Sequence, residues 1–306
     1  MQRADVECVL RCSALNGESP VWSDVESKLY WVDIKGRALH CFDPAHAMDV
    51  AWELPAWIGC CALDGPDVIV ALRTGLYRFV CSSGGLEMLA PPPYDVRRFT
   101  FNDGRCDRAG HFLVGPMYSP LAPGDPHDER AQAAPVWRFG TDRRWRAVTP
   151  PVRISNGLAF SPDGRRMYHS DTSRKTIWVC DYDSSSGDIE RHRVFAKVDE
   201  GGEHGGPDGA TVDRDGFYIC AVFGAGVLLR FDPDGRLERR IEMPARYVTM
   251  PGFGGSDKAT LYVTSATFPL SSDERRERPN EGALFAFEAP VPGLSTPAFT
   301  PGQSNS

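Results

Sequence analysis

Nowhere in the 306 residues does an uninterrupted apolar run approach the roughly 18 residues that a membrane-spanning helix needs. No membrane partner is expected. A basic surplus is missing too: 34 Lys and Arg stand against 41 Asp and Glu, for a net charge of -7 and a pI near 5.5. Such a chain offers no cationic stripe to a phosphate backbone, so nucleic acid is not expected either. The first ten residues carry Arg3, Asp5 and Glu7 in place of a basic start and an apolar core. No secretory leader is expected from them, and the expected location is the cytoplasm. Cysteine pairs at metal-type spacing are lacking. The nine cysteines, at 8, 12, 41, 60, 61, 81, 106, 180 and 220, read as small buried apolar residues kept reduced. There is no Gly-x-Ser-x-Gly elbow, and Ser155 has no evident His and Asp partners. Gly252-Phe253-Gly254-Gly255 lacks the strand-to-helix setting of a nucleotide loop.

What the chain does have is turns, with 30 Gly and 25 Pro and few long helical patterns. Many short strands and an all-β fold follow. The stretch Ser155-Asn156-Gly157 through Ser170-Asp171 shows the grammar: a polar residue with glycine, a strand, a Pro-Asp-Gly-Arg turn and a second strand. The same pattern opens at about 18, 59, 103, 156, 208 and 249, a period of roughly 40 to 53 residues. Repeats of four short strands at that period predict a six-bladed β-propeller of four-stranded antiparallel blades. The sixth unit lacks an evident fourth strand, while Val6 to Arg11 is a surplus one. Letting the N-terminal strand complete the last blade closes the ring and removes an exposed edge. Residues 1–290 are thus expected as a single propeller domain. Residues 291–306, rich in Pro, Ser and Gly, are expected as a flexible tail. Residues 117–135 interrupt the third unit as an inserted loop, either a solvated excursion or a lid.

In a propeller the innermost strands line a central channel and start at the same end of it. Residues at those starts become neighbours although they lie far apart in sequence. Here they include Glu18, Asn102, Asn156 and Asp208. Two carboxylates and two carboxamides form an all-oxygen set suited to a hard divalent cation such as Ca²⁺, Mg²⁺ or Mn²⁺. Each of these residues is also an ordinary turn former that can bond its own backbone. Their recurrence at equivalent repeat positions is what favours convergence.

At this point the chain resembles a known family. Gly17-Glu18-Ser19-Pro20-Val21-Trp22 with Leu29-Tyr30-Trp31-Val32-Asp33-Ile34, Phe101-Asn102-Asp103-Gly104 with Gly115-Pro116-Met117, Ser155-Asn156-Gly157-Leu158, and Pro207-Asp208-Gly209 with Leu261-Tyr262-Val263-Thr264-Ser265-Ala266 look like the gluconolactonase, regucalcin (senescence marker protein) and luciferin-regenerating family. The resemblance covers about residues 6 to 288. It implies a six-bladed propeller with one divalent metal at the channel mouth and sugar lactone hydrolysis. Glu18, Asn156 and Asp208 match the family's metal ligands, and Asn102 matches a residue contacting substrate or metal-bound water. The family often has Arg where this chain has Thr100, with Arg97 and Arg98 just upstream, so Asn102, Thr100 and Arg98 are the expected substrate contacts. Gly115-Pro116-Met117 departs from the family's Gly-Thr-Met and alters the pocket wall. His204 is either a mouth residue or a solvated loop histidine.

The activity this implies is metal-dependent hydrolysis of an aldono-lactone to the open-chain sugar acid. The metal, whether Ca²⁺, Zn²⁺, Mn²⁺, Mg²⁺ or Fe²⁺, polarises the carbonyl and activates water, with Asp208 as general base. Two alternatives stand beside it: a non-catalytic Ca²⁺-binding or interaction propeller, and a hydrolase of other esters on the same metal site. The expected partner is a small sugar lactone, and the sequence leaves the oligomeric state open.

Overall fold

The computed structural model describes residues 5–121, 132–202 and 205–300. After β1 (Glu7–Leu10) the chain builds a first blade from β2 (Gly17–Ser23), β3 (Lys28–Asp33), β4 (Ala38–Asp43) and β5 (Met48–Glu53). The second holds β6 (Ile58–Asp64), β7 (Asp67–Leu72), β8 (Gly75–Val80) and β9 (Gly85–Ala90), and the third β10 (Phe99–Cys106), β11 (Phe112–Tyr118), β12 (Trp137–Phe139) and β13 (Trp145–Ala147). The fourth holds β14 (Ser155–Phe160), β15 (Arg166–Asp171), β16 (Thr176–Tyr182) and β17 (Ile189–Lys197). The fifth follows with β18 (Gly206–Val212), β19 (Tyr218–Phe223), β20 (Val227–Phe231) and β21 (Leu237–Glu242). The last has β22 (Val248–Gly254), β23 (Thr260–Ser265) and β24 (Leu284–Glu288), and β1 pairs antiparallel with β24 to complete it. The expected N-terminal closure is therefore what the chain adopts.

Burial explains the strand patterns. Second strands such as Leu29-Tyr30-Trp31-Val32 and Val68-Ile69-Val70-Ala71-Leu72 are packed on both faces and read as continuous apolar runs. Outer strands such as β5 and β9 lie largely exposed and carry mixed residues. Apolar clusters fill the seams between blades, for example Val32, Leu39 and Ile34 of the first with Val70, Leu72 and Phe79 of the second.

All six inner strands share one irregularity. Against their second strands, β2, β10, β14, β18 and β22 each fit three steps to the partner's two, as in Asn156 opposite Ser170 but Ala159 opposite Tyr168. β6 does the same over Ile58 to Cys60. One extra residue per inner strand is a β-bulge, which bends the strand and re-aims a side chain. In the fourth blade the bulge needs Gly157 at φ +64, where a Cβ would collide with the Tyr218 hydroxyl. In the first, Ser19 takes φ +52, and its hydroxyl accepts from the Cys61 N–H at 3.0 Å.

Two expectations about the loops are refined. Residues 117–121 continue beside β10, with Ser119 N–H donating to Arg98 O and Leu121 N–H to Arg97 O. Ala134 and Val152 bridge at the other end. The insertion is thus rooted at the end of the ring where the inner strands start, and its centre, 122–131, lies outside the described residues. The tail expected to be free from 291 is a correction over 291–300. Arg214 N–H donates to Pro292 O, Phe299 N–H to Leu63 O and Thr300 N–H to Gly110 O. Phe299 is 4 % exposed among Cys106, Phe112 and Phe139. Composition suggested a solvated tail, but one buried phenyl ring and a ladder of backbone bonds outweigh it. Residues 301–306 lie outside the described residues. Residues 294–297 also wall a cavity of about 370 Å³ with Arg105 and Phe160, at the far end of the channel.

Candidate active site

The bulges bring the polar residues of four blades to one end of the channel. Glu18 and Asn102 are each 6 % exposed, Asn156 3 % and Asp208 7 %. Asn102 Nδ2 donates to Asn156 Oδ1 at 2.9 Å and to Ser155 O at 3.0 Å, joining the third and fourth blades. Asn156 Nδ2 in turn donates to Thr172 Oγ1 at 2.8 Å, and the Thr172 hydroxyl donates to Pro207 O at 2.8 Å. A carbonyl can only accept, so Thr172 must spend its proton there and accept from Asn156. The Asn156 carboxamide is thereby oriented with its NH₂ outward and its oxygen toward Asn102. The Asn102 carbonyl oxygen has no partner among the described residues.

The electrostatics are those of crowded acids. Burial, then Asp208, then Asp103 hold the Glu18 carboxyl well above its usual range. Burial and then Asp103 do the same to Asp208. Asp103 is itself raised by burial, against the opposing pull of Arg105 and the Leu158 N–H, which donates to Asp103 Oδ2 at 2.7 Å. Its other oxygen is buried and has no partner among the described residues. Among the described residues no Lys, Arg or His forms an ion pair with Glu18 or Asp208. Buried carboxylates are normally paired or bound to a cation.

Those observations test whether the residues fit a divalent cation. Two carboxylates without counter-charge, beside a carboxamide oxygen held in place by a hydroxyl, make a hard oxygen-donor set that does fit. Among the described residues no three His, Cys, Asp or Glu side chains are grouped to hold a metal ion. Any site here needs the Asn156 oxygen as a donor.

The remaining sequence candidates fall differently. Thr100 is fully buried with its hydroxyl unpartnered among the described residues, so it presents no open face to a ligand. Arg98 is half-buried near the Phe99 and Tyr118 rings, on the same end of the ring as the four polar residues. His204 lies outside the described residues. Sequence reasoning missed three residues. Asp103 follows Asn102 directly, and strict alternation would turn it away, but the bulge over Phe101 to Gly104 keeps both in the site. Thr172 sits just past β15, one residue beyond the Asp171 that caps the short 3₁₀ turn Thr172–Arg174. Arg105, buried, reaches from the third blade to the fifth, where Nη2 donates to Ala210 O at 2.7 Å. A charged residue inside a predicted core strand was the available signal for Asp103 and Arg105.

A closed six-bladed ring whose inner strands carry an acidic oxygen cluster at one mouth defines a class of small-molecule-binding propeller. The chain belongs to the SMP-30/Gluconolactonase/LRE-like family, whose characteristic region matches residues 16–267. It is 37 % identical to a 6-deoxy-6-sulfogluconolactonase of Pseudomonas putida over 297 residues, covering 96 % of this chain and 98 % of that one. It is 35 % identical to an L-arabinolactonase of Azospirillum brasilense over 290 residues, covering 92 % and 91 %. Among solved structures, a calcium-binding regucalcin from Agrobacterium tumefaciens superposes with a TM-score of 0.87 at 26 % identity, covering 97 % of this chain and 98 % of that one.

Proposed function

We propose that this protein is a metal-dependent lactonase that opens an aldono-lactone to the free sugar acid. The chain is a lactone-hydrolysing enzyme of its family, on the strength of full-length relatives that are themselves sugar lactonases. The observation that supports metal dependence is the uncompensated acidity of Glu18 and Asp208 beside the oriented Asn156 oxygen. These three residues would hold the ion. A bound divalent cation supplies Lewis-acid polarisation of the lactone carbonyl and a lowered pKa for water.

The rest falls to the chain's own groups. Asp208 accepts the proton of the attacking water through a carboxylate oxygen left off the ion, a role worth about 10²–10⁴-fold. The proton later passes to the leaving ring oxygen, which departs as a hydroxyl. Asn102 places its free carbonyl oxygen toward the channel, where it accepts from a sugar hydroxyl and fixes the face presented to water. Thr172 and Asn156 keep the carboxamide from flipping. The test is metal analysis of the purified protein coupled to a pH-stat assay over pentono- and hexono-lactones. Metal-dependent acid release is expected, and full activity of Asp208→Ala in the presence of metal would overturn the mechanism.

A further inference from the structure

We infer that the cavity at the far end of the channel, opposite the acid cluster, is a second ligand site, built for a small organic acid whose carboxylate meets Arg105 and whose apolar body lies against Phe160 and Leu294. It stands independently of the lactonase reading, because it concerns the other end of the ring.

The inner strands fix where the cavity lies. Asn102, Asn156 and Asp208 belong to the first halves of β10, β14 and β18, whereas Cys106, Phe160 and Val212, which end those same strands, line the cavity. At about 370 Å³ it falls at the small end of the roughly 300–1,000 Å³ that ligand sites occupy. Phe160, Val212 and Leu294 supply an apolar wall. Leu294 is 43 % exposed, an isobutyl group left open at the rim.

The charge on that wall is of one sign. Arg105 and Arg108 line it, and among the described residues no Asp or Glu does. Carboxylates beside it in sequence are held elsewhere: Asp107 accepts from the Tyr182 hydroxyl at 2.7 Å, and Asp213 from Arg230 Nη2 at 2.6 Å. Of the four buried arginines described, Arg138 and Arg230 form ion pairs with Asp107 and Asp213, while Arg73 and Arg105 donate to carbonyl oxygens alone. Arg105 is 8 % exposed. Its Nη2 donates to Ala210 O at 2.7 Å and its Nε to Leu158 O at 3.5 Å, and Nη1 has no partner among the described residues. Asp103 acts on this charge through space without an ion pair, its own Oδ2 accepting from the Leu158 N–H. A buried guanidinium with an idle NH₂ beside a cavity is a donor for an anion.

Arg108 is exposed, yet its stem is held. It crosses Gly164 of the next blade, where a Cβ would stand 2.7 Å from Arg108 Cδ, and Gly164 itself sits at φ +72, in the region that suits glycine. The guanidinium has no hydrogen-bond or ion-pair partner among the described residues. Arg105 from within and Arg108 from the rim thus place two positive charges on one small cavity of a chain whose net charge is -7. An inorganic anion would meet the charges and leave Phe160 and Leu294 wet. A carboxylate that carries an apolar chain or ring gains a charge-assisted hydrogen bond and covers the apolar wall as well.

The experiment is titration calorimetry on the full-length protein in chelator, where the mouth presents only uncompensated acids, which repel carboxylates. Phenylacetate and hexanoate are titrated beside phenylacetamide and inorganic phosphate. One saturable site for at least one of the two carboxylates is expected, with the amide and phosphate each at least about tenfold weaker. Leu294→Asp, a change at an exposed position, should weaken that binding about tenfold and Arg108→Gln about threefold, with melting temperatures unchanged in the absence of ligand. Arg105→Gln should abolish binding, and if that variant melts lower than wild type the two rim variants still locate the site. Failure of both carboxylates to bind, equal affinity for the amide or for phosphate, or binding that neither rim variant weakens would each overturn the inference.

Discussion

The Thr172 hydroxyl donates to the Pro207 carbonyl at 2.8 Å, and that bond decides which way the Asn156 carboxamide faces. The relation crosses from the fourth blade to the fifth, so Asn156 and the residue before Asp208 are held to each other through the Thr172 hydroxyl. Thr172→Val keeps the shape and removes the proton. Ca²⁺ and Mn²⁺ affinity, measured by calorimetry, should fall about 10–100-fold, the usual effect of losing a ligand's orienting partner. Thr172→Ser should recover most of it. Unchanged affinity in the valine variant would show that Asn156 is oriented by something else.

Asp208→Asn should separate stability from activity. Removing one charge from the cluster of Glu18, Asp103 and Asp208 relieves repulsion in a buried setting. The metal-free variant is expected to melt higher than metal-free wild type, while lactone hydrolysis drops about 10²–10⁴-fold with loss of the base. A lower melting temperature in the absence of metal would argue that Asp208 is already compensated.

The same cluster fixes a pH dependence. Glu18 and Asp208 are raised in the folded state, so in rising pH the unfolded chain ionises first and the folded chain is left holding protons. Their contribution is fully present below the ordinary carboxylate range and is lost as pH climbs toward the raised folded values. His169 acts oppositely: burial and then His192 push it down to about 3, so its contribution is lost as pH falls below the ordinary histidine range. The informative quantity is therefore the difference in melting temperature between wild type and Asp208→Asn in chelator. That difference should widen from pH 5 to pH 8 and shrink when saturating Ca²⁺ is added. A difference that stays constant with pH would contradict the assignment.

Phe299 gives a prediction remote from the site. Its ring is buried with Phe139 and Phe112, so Phe299→Ala should destabilise the protein by about 3–5 kcal/mol, the range for emptying a buried aromatic position. Denaturant unfolding at equilibrium measures this directly. A value near zero would mean that residues 291–300 contribute little to the folded ring.

Much of the architecture was legible because propeller repeats announce themselves locally. Each unit carries its own turns and its own continuous apolar second strand, and β1 was recognisable as surplus to one blade and missing from another. The convergence of Glu18, Asn102, Asn156 and Asp208 followed from the ring alone. What was not legible depended on the bulges and on cross-blade bonds. Asp103 has the wrong parity for the channel until an extra residue re-aims the strand, and Thr172 has no neighbour in sequence that reveals its bond to Pro207. Thr100 was expected at the substrate and is buried instead. The anchoring of 291–300 hung on Phe299, one aromatic residue in a stretch whose composition otherwise suggests a solvated coil.

Arg105 has a mechanical meaning beyond its single bond to Ala210 O. It braces the inner ring from the third blade to the fifth, beside the cavity that residues 294–297 line. Inner strands tied to one another at that end resist spreading, so the separation of the polar residues at the opposite mouth depends on a bond made away from them.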